Sequence, residues 1–514
     1  MTRLVAEPAA DRQPPPAPPE PAADSTPARA VARSAVLLLT VLLLLVIVRL
    51  PWIGDLGMHA ATIERLRSDL LDPGNPMVDA DTVSPYYSPW MLLLGAVAKT
   101  TGLGTFIVLR LAALVGLALL LSGIWHFTRT LSTRRAAPEL AVLCVLLLWG
   151  PRLFEWSGFL GLGSLALVVA YPSTFALALS FHFWALLRKA LRATASWPVF
   201  LSLGVLWAVI LLSHQFSGVV ATLGALGVLL AARPWPGRGT WWRLGGGLAL
   251  GVALLAAWPY YAFFPLLTVG GLEEIHRPLY HDLLPHFGFA LIGVAALALR
   301  WRRDRRDPLV VFFALGALMV AAGGFTGHWS WGRALPAVLI PAQLAAALAM
   351  VDGGGRLVRN AFAAVTGVAL LAGAWTQAGT LGYVVRGDVL ATSVREKVRQ
   401  PWQGYHWITH WVPYGDTVMA EGRAARMLPA YGPYTVAPGY PDFFLPDERQ
   451  REDAVRRYYA PDSSRQDRLA VLHSYGVRWV LAKPGDGGLP ADDPALRLVA
   501  AGPDGQLLYE VTTG

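Results

Sequence analysis

Long apolar runs separated by short basic loops constrain this fold more than any other feature. A helix needs roughly 20 apolar residues to cross a bilayer. Eleven runs approach that length, at 33–51, 104–127, 137–151, 167–187, 197–213, 216–232, 244–262, 287–301, 308–324, 334–351 and 361–385. Of the 514 residues, 54% are hydrophobic and only 15% are charged, well below the roughly 25% charged residues of soluble domains. The sequence therefore predicts an α-helical polytopic membrane protein with about eleven transmembrane helices.

The net charge of +9 does not indicate nucleic-acid binding. The basic residues lie in short loops between apolar runs, which is the distribution of a membrane-topology signal. Cys144 is the single cysteine of the sequence and lies inside an apolar run. An internal disulfide is therefore excluded, and redox chemistry is not expected.

Charge alternates between the loops and predicts the topology. The cation-rich set contains Arg129, Arg134, Arg135, Arg188, Lys189, Arg192, Arg233, Arg238, Arg243, Arg300, Arg302, Arg303, Arg305, Arg306, Arg356 and Arg359. By the positive-inside rule these loops are cytoplasmic. Residues 1–30, rich in Pro and Ala, then form a disordered cytoplasmic tail, and the first apolar run is a retained span rather than a cleaved signal. An odd number of crossings puts the C-terminal segment outside the cytoplasmic membrane.

The loop 52–90, predicted to lie outside, is strongly acidic. Its carboxylates are Asp55, Glu64, Asp69, Asp72, Asp79 and Asp81, against the two cations Arg65 and Arg67. Apolar spacing predicts a short helix over 60–71 and another over 90–97, both lying along the membrane surface. Ionisable groups at a membrane edge are functional candidates, so Asp55 is the first of them.

After residue 385 the composition returns to that of a soluble domain. We predict a small extracytoplasmic α/β domain over 386–514, following a transmembrane catalytic domain over 31–385. Strands are expected at 418–420 and 477–482, helices at 447–459 and 464–475, and a turn at 485–488.

These features together resemble the GT-C superfamily of membrane glycosyltransferases. The resemblance rests on Gly54-Asp55 after the first span, on Asp55-x-x-x-His59 followed by Ile63-Glu64, on Ser213-His214-Gln-Phe, and on the strand Tyr475-Gly-Val-Arg-Trp-Val-Leu. As a layout it covers nearly the whole chain and is most similar to bacterial arabinosyl- and mannosyltransferases. Leu56 stands where the protein mannosyltransferase branch has a glutamate, which leaves the subfamily and any metal requirement open.

The resemblance implies an inverting transfer of a sugar from a polyprenyl-phosphate donor. Asp55 would take the proton of the acceptor hydroxyl, and Arg333 would pair with the departing phosphate. Asp55 could instead be an ordinary N-cap of the helix that follows it.

Six further residues are candidates for substrate binding: His59, Glu155, His214, His276, Arg277 and His328. Each has a plainer interpretation. His59 could lie on the wet face of an interfacial helix, Glu155 could form a salt bridge with Arg152, and His214 could bond a neighbouring span. The three histidines at 276, 281 and 286 do not have zinc-ligand spacing. No metal ligand set or cofactor is predicted, although Asp79 and Asp81 could hold a divalent cation.

The acceptor stays open between glycan, lipid, protein and small molecule. The expected host is a bacterium with a GC-rich genome, and the expected partners are the lipid-linked donor, the acceptor and membrane lipid, with no nucleic acid. Two other classes remain: a lipid or solute transporter, and a non-catalytic envelope assembly protein with the same fold. Transporters often contain internal repeats, and this sequence has none that we detect.

Overall fold

The computed structural model describes residues 26–267 and 272–512, so most of the predicted tail, residues 1–25, lies outside the described residues. The helices are α1 (Thr26–Arg49), α2 (Leu56–Ser68), α3 (Pro89–Thr101), α4 (Thr105–Leu131), α5 (Ala137–Leu147), α6 (Leu162–Val168), α7 (Pro172–Arg192), α8 (Trp197–Ser213), α9 (Gln215–Leu230), α10 (Arg238–Ala256), α11 (Phe263–Leu266), α12 (Glu273–His276), α13 (Leu283–Phe287), α14 (Leu291–Arg303), α15 (Pro308–Thr326), α16 (Pro336–Asp352), α17 (Arg356–Thr376), α18 (Thr392–Arg395), α19 (Gly422–Met427), α20 (Glu448–Tyr459) and α21 (Arg465–Ser474). Short 3₁₀ segments include Trp329–Ala334 and Leu428–Tyr431.

Each predicted apolar run contains a helix, but not each helix has the length of a full crossing. Six helical segments of the described chain are long and apolar enough to span a membrane, and a bent pair makes a seventh. The six are Arg29–Arg49, Thr105–Leu131, Leu283–Arg303, Pro308–Thr326, Trp329–Asp352 and Arg356–Thr376. Helices α5, α8 and α9 are apolar but shorter. The protein is a multi-pass membrane protein, and the count of eleven spans stays a prediction.

The run 167–187 is predicted to be one span, but the structure divides its start between two helices. The chain bends by 117° between α6 and α7. Pro172 begins α7, and the preceding Tyr171 has extended backbone angles (φ −82°, ψ 153°), because a proline disfavours helical geometry in the residue before it. The bend turns Tyr171 toward the first loop, where its hydroxyl donates to the Ile53 carbonyl at 3.0 Å.

Helix α2 begins and ends earlier than predicted, and most of its residues are buried within the protein. Residues from Leu56 to Ile63 are buried, as is Leu66. The helix is packed between α3 and the 3₁₀ turn Leu428–Tyr431 of the C-terminal region. Arg65 fixes this packing, because its guanidinium donates to the carbonyls of Gly432 and Pro433, both at 2.8 Å.

The C-terminal region contains a five-stranded mixed sheet, as the α/β prediction required. Its strands are β1 (Thr417–Met419), β2 (Tyr434–Thr435), β3 (Val477–Ala482), β4 (Leu496–Ala501) and β5 (Leu507–Val511), in the spatial order β2-β1-β3-β5-β4. The pairs β1–β2 and β1–β3 are parallel, whereas β3–β5 and β4–β5 are antiparallel. Both predicted strands and both predicted helices are confirmed. Strands β2, β4 and β5 were not predicted.

A buried polar network joins the first loop to this region. Asp442 is fully buried and accepts hydrogen bonds from Asn75 Nδ2 and Ser84 Oγ, both at 2.9 Å. The backbone N–H of Phe444 also donates to the Asp442 carboxylate, at 3.2 Å. Because a buried carboxylate is costly without such donors, this network holds the loop 75–84 against the chain around residue 442.

Candidate functional site

A cavity of about 570 Å³ lies where the Asp55 loop, the α6–α7 bend and the α8–α9 turn meet. Six of the eight residues predicted as site residues line it: Asp55, His59, Glu155, His214, His276 and Arg333. These residues come from segments that are far apart in the sequence. Their convergence on one cavity makes this the candidate active site.

Asp55 stands at the N-cap position of α2, but its side chain does not cap the helix. Among the described residues its carboxylate has no hydrogen-bond or ion-pair partner. The loop before it is held from two sides, because Tyr171 donates to the Ile53 carbonyl and Tyr440 donates to the Gly54 carbonyl at 2.7 Å. Burial raises the pKa of Asp55, and the charges of Arg333 and Arg426 lower it in part. Asp55 is therefore not the capping residue of α2. Its carboxyl group stands on a fixed loop and has no partner among the described residues.

Arg333 and His214 form a pair of donors in the cavity that Asp55 also lines. The Ser217 backbone N–H donates to His214 Nδ1 at 3.1 Å, so the neutral ring carries its proton on Nε2. Arg333 Nη2 lies 3.4 Å from that Nε2, and both atoms are donors. The buried Arg333 guanidinium has no carboxylate partner within the described chain, and it lies over the Phe216 ring at 4.8 Å. Two adjacent donors without an acceptor are suited to an anionic oxygen.

Glu155 pairs with Arg399, at 3.3 Å between Oε2 and Nη1. The expected alternative, a salt bridge to Arg152, was wrong, because Arg152 pairs with Asp282. Burial raises the pKa of Glu155, and the hydrogen bond from Arg399 lowers it in part. The pair joins the wall of the cavity to the segment that follows α17.

The two remaining histidines of the cavity are buried and neutral. Burial lowers the pKa of His59 to about 3 and that of His276 to about 4. His59 packs edge-on against Tyr171, with ring centroids 4.6 Å apart, which rules out the interpretation of a solvated helix face. His276 Nδ1 donates to the Leu272 carbonyl at 2.8 Å, leaving Nε2 as its acceptor.

The structure does not bring Arg277 and His328 into this cavity. Arg277 is exposed and pairs with Glu274 at 3.6 Å. His328 is also exposed, and its Nδ1 lies 2.8 Å from Thr326 Oγ1. Both belong to segments whose neighbours, His276 and Arg333, do line the site. Sequence proximity selected these segments correctly but could not tell which side chain faces inward.

Several residues at the site were not predicted from the sequence, and three of them bear on its geometry. Tyr440 and Arg399 come from beyond the last apolar run, and both line the cavity. Gly158 has a φ of +84°, and a Cβ there would lie 3.5 Å from Arg333 Nη2 and 3.7 Å from His214 Cε1. The sequence did contain a signal for Arg399. Arg395, Lys397 and Arg399 form a cluster of cations in a segment predicted to lie outside, where the positive-inside rule predicts few cations.

No family model and no curated protein matches this sequence. Solved structures do match. The arabinofuranosyltransferase AftD from Mycobacteria superposes with a TM-score of 0.56 at 17% identity, over 96% of this chain and 40% of AftD. ArnT from Cupriavidus metallidurans matches in its apo state with a TM-score of 0.52 at 16% identity, over 94% of this chain and 98% of ArnT.

ArnT bound to undecaprenyl phosphate gives a TM-score of 0.53 at 15% identity, over 95% of this chain and 98% of ArnT. The chain has the GT-C fold. The chain spans less than half the length of AftD and nearly all of ArnT. In this chain the Asp55 loop follows the first candidate spanning helix, and α2 and α3 follow the loop.

Proposed function

We propose that this protein is a membrane glycosyltransferase that moves a sugar from a polyprenyl-phosphate donor to an acceptor on the outer side of the cytoplasmic membrane. One observation carries the proposal: an unpaired carboxyl and an unpaired buried guanidinium share one cavity. Isolated charges of opposite sign are costly to bury. Both groups have a use in a reaction in which the carboxyl takes a proton and the guanidinium binds an anion.

In the proposed step, Asp55 accepts the proton of an acceptor hydroxyl whose oxygen attacks the anomeric carbon. The carbon–oxygen bond to the polyprenyl phosphate breaks, and the phosphate leaves with the bonding electrons. The Arg333 guanidinium and the His214 Nε2–H stabilise the phosphate oxygens. A single displacement inverts the anomeric configuration, and it needs one base rather than a second carboxylate as nucleophile.

Two of the solved neighbours support the donor class and the reaction class. ArnT has been solved bound to undecaprenyl phosphate, and AftD is an arabinofuranosyltransferase. In this chain Trp156 lines the cavity beside Glu155, and an indole face of this kind is suited to a sugar ring. The identity of the sugar is open, and the acceptor is open between glycan, lipid, protein and small molecule.

The test uses membranes that contain the wild type, Asp55→Asn or Asp72→Asn. Each is supplied with radiolabelled polyprenyl-phosphate sugars, and label is followed into extractable and insoluble products. General-base catalysis contributes about 10²–10⁴-fold, so Asp55→Asn should lower transfer by about that factor. Asp72 lies in the same loop but is exposed, and Asp72→Asn should transfer like the wild type.

Equal transfer by the wild type and Asp55→Asn would remove Asp55 from the mechanism. Loss of transfer in both variants would point to the charge of the loop rather than to the base. An acceptor product with a retained anomeric configuration would contradict the single displacement.

A further inference from the structure

A second cavity, of about 600 Å³, lies on the opposite side of the Asp55 loop. Trp52 and Leu56 line this second cavity, whereas Ile53, Gly54 and Asp55 line the first. Consecutive residues of one loop therefore separate the two spaces. The transfer reaction proposed above makes no use of the second cavity.

Three arginines, Arg49, Arg110 and Arg386, line the second cavity, and none of its described lining residues is a carboxylate. His406 lines it as well. In the described chain Arg49 has no hydrogen bond or ion pair, and Arg110 donates only to the carbonyls of Val48 and Phe106, at 2.9 and 3.0 Å. Arg386 pairs with Asp388 on the surface. Guanidinium groups at Arg49 and Arg110 thus lack an anionic partner.

The rest of the lining is aromatic or aliphatic. Trp52 lies 5.5 Å from Phe106 and 5.8 Å from Tyr431 between ring centroids. None of its described lining residues is Asp, Glu, Asn, Gln, Ser or Thr. Three guanidinium groups set among aromatic and aliphatic side chains favour an anion with an apolar body.

The cavity opens at the ends of two candidate membrane spans. Arg49 ends α1, and Arg110 lies in the second turn of α4. Beside them Val48, Ile107 and Leu111 are 66%, 49% and 43% exposed, and in a membrane such side chains contact acyl chains. The predicted topology puts these ends outside, where cations are depleted in membrane proteins.

We propose that the second cavity binds the phosphate of an anionic membrane phospholipid. Arg49, Arg110 and Arg386 surround the phosphate, and the acyl chains follow the exposed side chains of α1 and α4. This site does not depend on the chemistry assigned to Asp55, so the two proposals fail independently.

The test measures lipid retention on the purified full-length protein by native mass spectrometry. The probes are dioleoyl phosphatidylglycerol, dioleoyl phosphatidylcholine and inorganic phosphate. Wild type should retain one phosphatidylglycerol in preference to phosphatidylcholine. Arg49→Gln with Arg386→Gln should weaken that retention about 30-fold, the equivalent of about 1 kcal/mol for each cation near a membrane surface. Both side chains are exposed and make no buried contact, so this variant should fold.

The matched control removes two other arginines, by Arg152→Gln with Arg497→Gln. Both are exposed surface residues that pair with carboxylates, and neither lines either cavity. The control should retain phosphatidylglycerol like the wild type. Equal retention by all three proteins, or equal retention of the two lipids, would overturn the proposal. Binding of inorganic phosphate that the Arg49/Arg386 variant loses, without a preference for phosphatidylglycerol, would assign the site to free phosphate and also overturn it.

Discussion

Arg333 affects the chemistry of Asp55 as well as the charge of the cavity. Its positive charge lowers the pKa of a carboxyl that burial raises. A base acts only when ionised, so transfer should fall as the pH falls through the pKa of Asp55. Arg333→Gln removes the opposing charge, which raises that pKa further, and the acid limb of the kcat/KM profile should move to higher pH. The maximal rate should also fall by about 10²–10³-fold if the phosphate loses a donor.

Arg277→Gln is the control for this change. Arg277 was predicted for the same role, but it is exposed and lies outside the cavity. Its substitution should leave the rate and the acid limb unchanged. A shifted limb in both variants would mean that general surface charge, and not the Arg333–Asp55 interaction, sets the profile.

Gly158 lies close to both donors, so a substitution there tests the space around them. Its φ of +84° disfavours any side chain, and a Cβ would enter the space beside Arg333 and His214. Gly158→Ala should cost about 1–2 kcal/mol of stability and should weaken donor binding, measured as a raised KM. Gly102 has a similar φ of +70° with nothing within 4 Å of a Cβ. Gly102→Ala should have the stability cost alone, and a raised KM in both variants would remove the steric explanation.

At the scale of elements, α2 is held by one buried side chain. Arg65 bonds two carbonyls of the C-terminal region and packs 3.7 Å from the centroid of the Tyr434 ring. Arg65→Met would leave both carbonyls without these donors, at a cost of about 3 kcal/mol. We expect a lower melting temperature and a parallel loss of transfer, since Asp55 directly precedes α2. The control is Arg67→Met, at a partly exposed residue two positions further along α2. It should change neither the melting temperature nor the transfer. Equal losses in the two variants would contradict the role of Arg65 in docking α2.

At the scale of the whole molecule, Asp442 joins segments more than 350 positions apart in the sequence. Asp442→Ala would leave the buried donors of Asn75 and Ser84 unpaired, at a cost of about 2–4 kcal/mol. The C-terminal residues Tyr440 and Arg399 line the active site, so transfer should fall together with the melting temperature. The control is Asp453→Ala, which removes an exposed ion pair on α20 and should change neither the melting temperature nor the transfer. A stable but inactive Asp442→Ala protein would instead show a local role at the site.

Local sequence was enough to predict the membrane class, a helix in each apolar run and six of the residues that line the first cavity. Apolar runs and loop charges need no tertiary information, because each reflects a local transfer free energy between water and lipid. The strands at Thr417–Met419 and Val477–Ala482 were also predicted from local apolar runs. Strand Leu496–Ala501 was not predicted, since it is an edge strand with little burial and its alternation is weak.

Which candidates lie together in one cavity follows from the tertiary packing. Arg333 and Arg277 lie in similar polar loops, yet one is buried against the cavity and the other is exposed. Tyr440 and Arg399 line the cavity that contains Asp55, and both come from segments that follow the last apolar run. Local sequence carries no record of such contacts, because they depend on how α2, the α6–α7 bend and the C-terminal sheet pack in space. The same packing buries α2, whose Arg65 bonds the carbonyls of Gly432 and Pro433 more than 350 positions further along the chain.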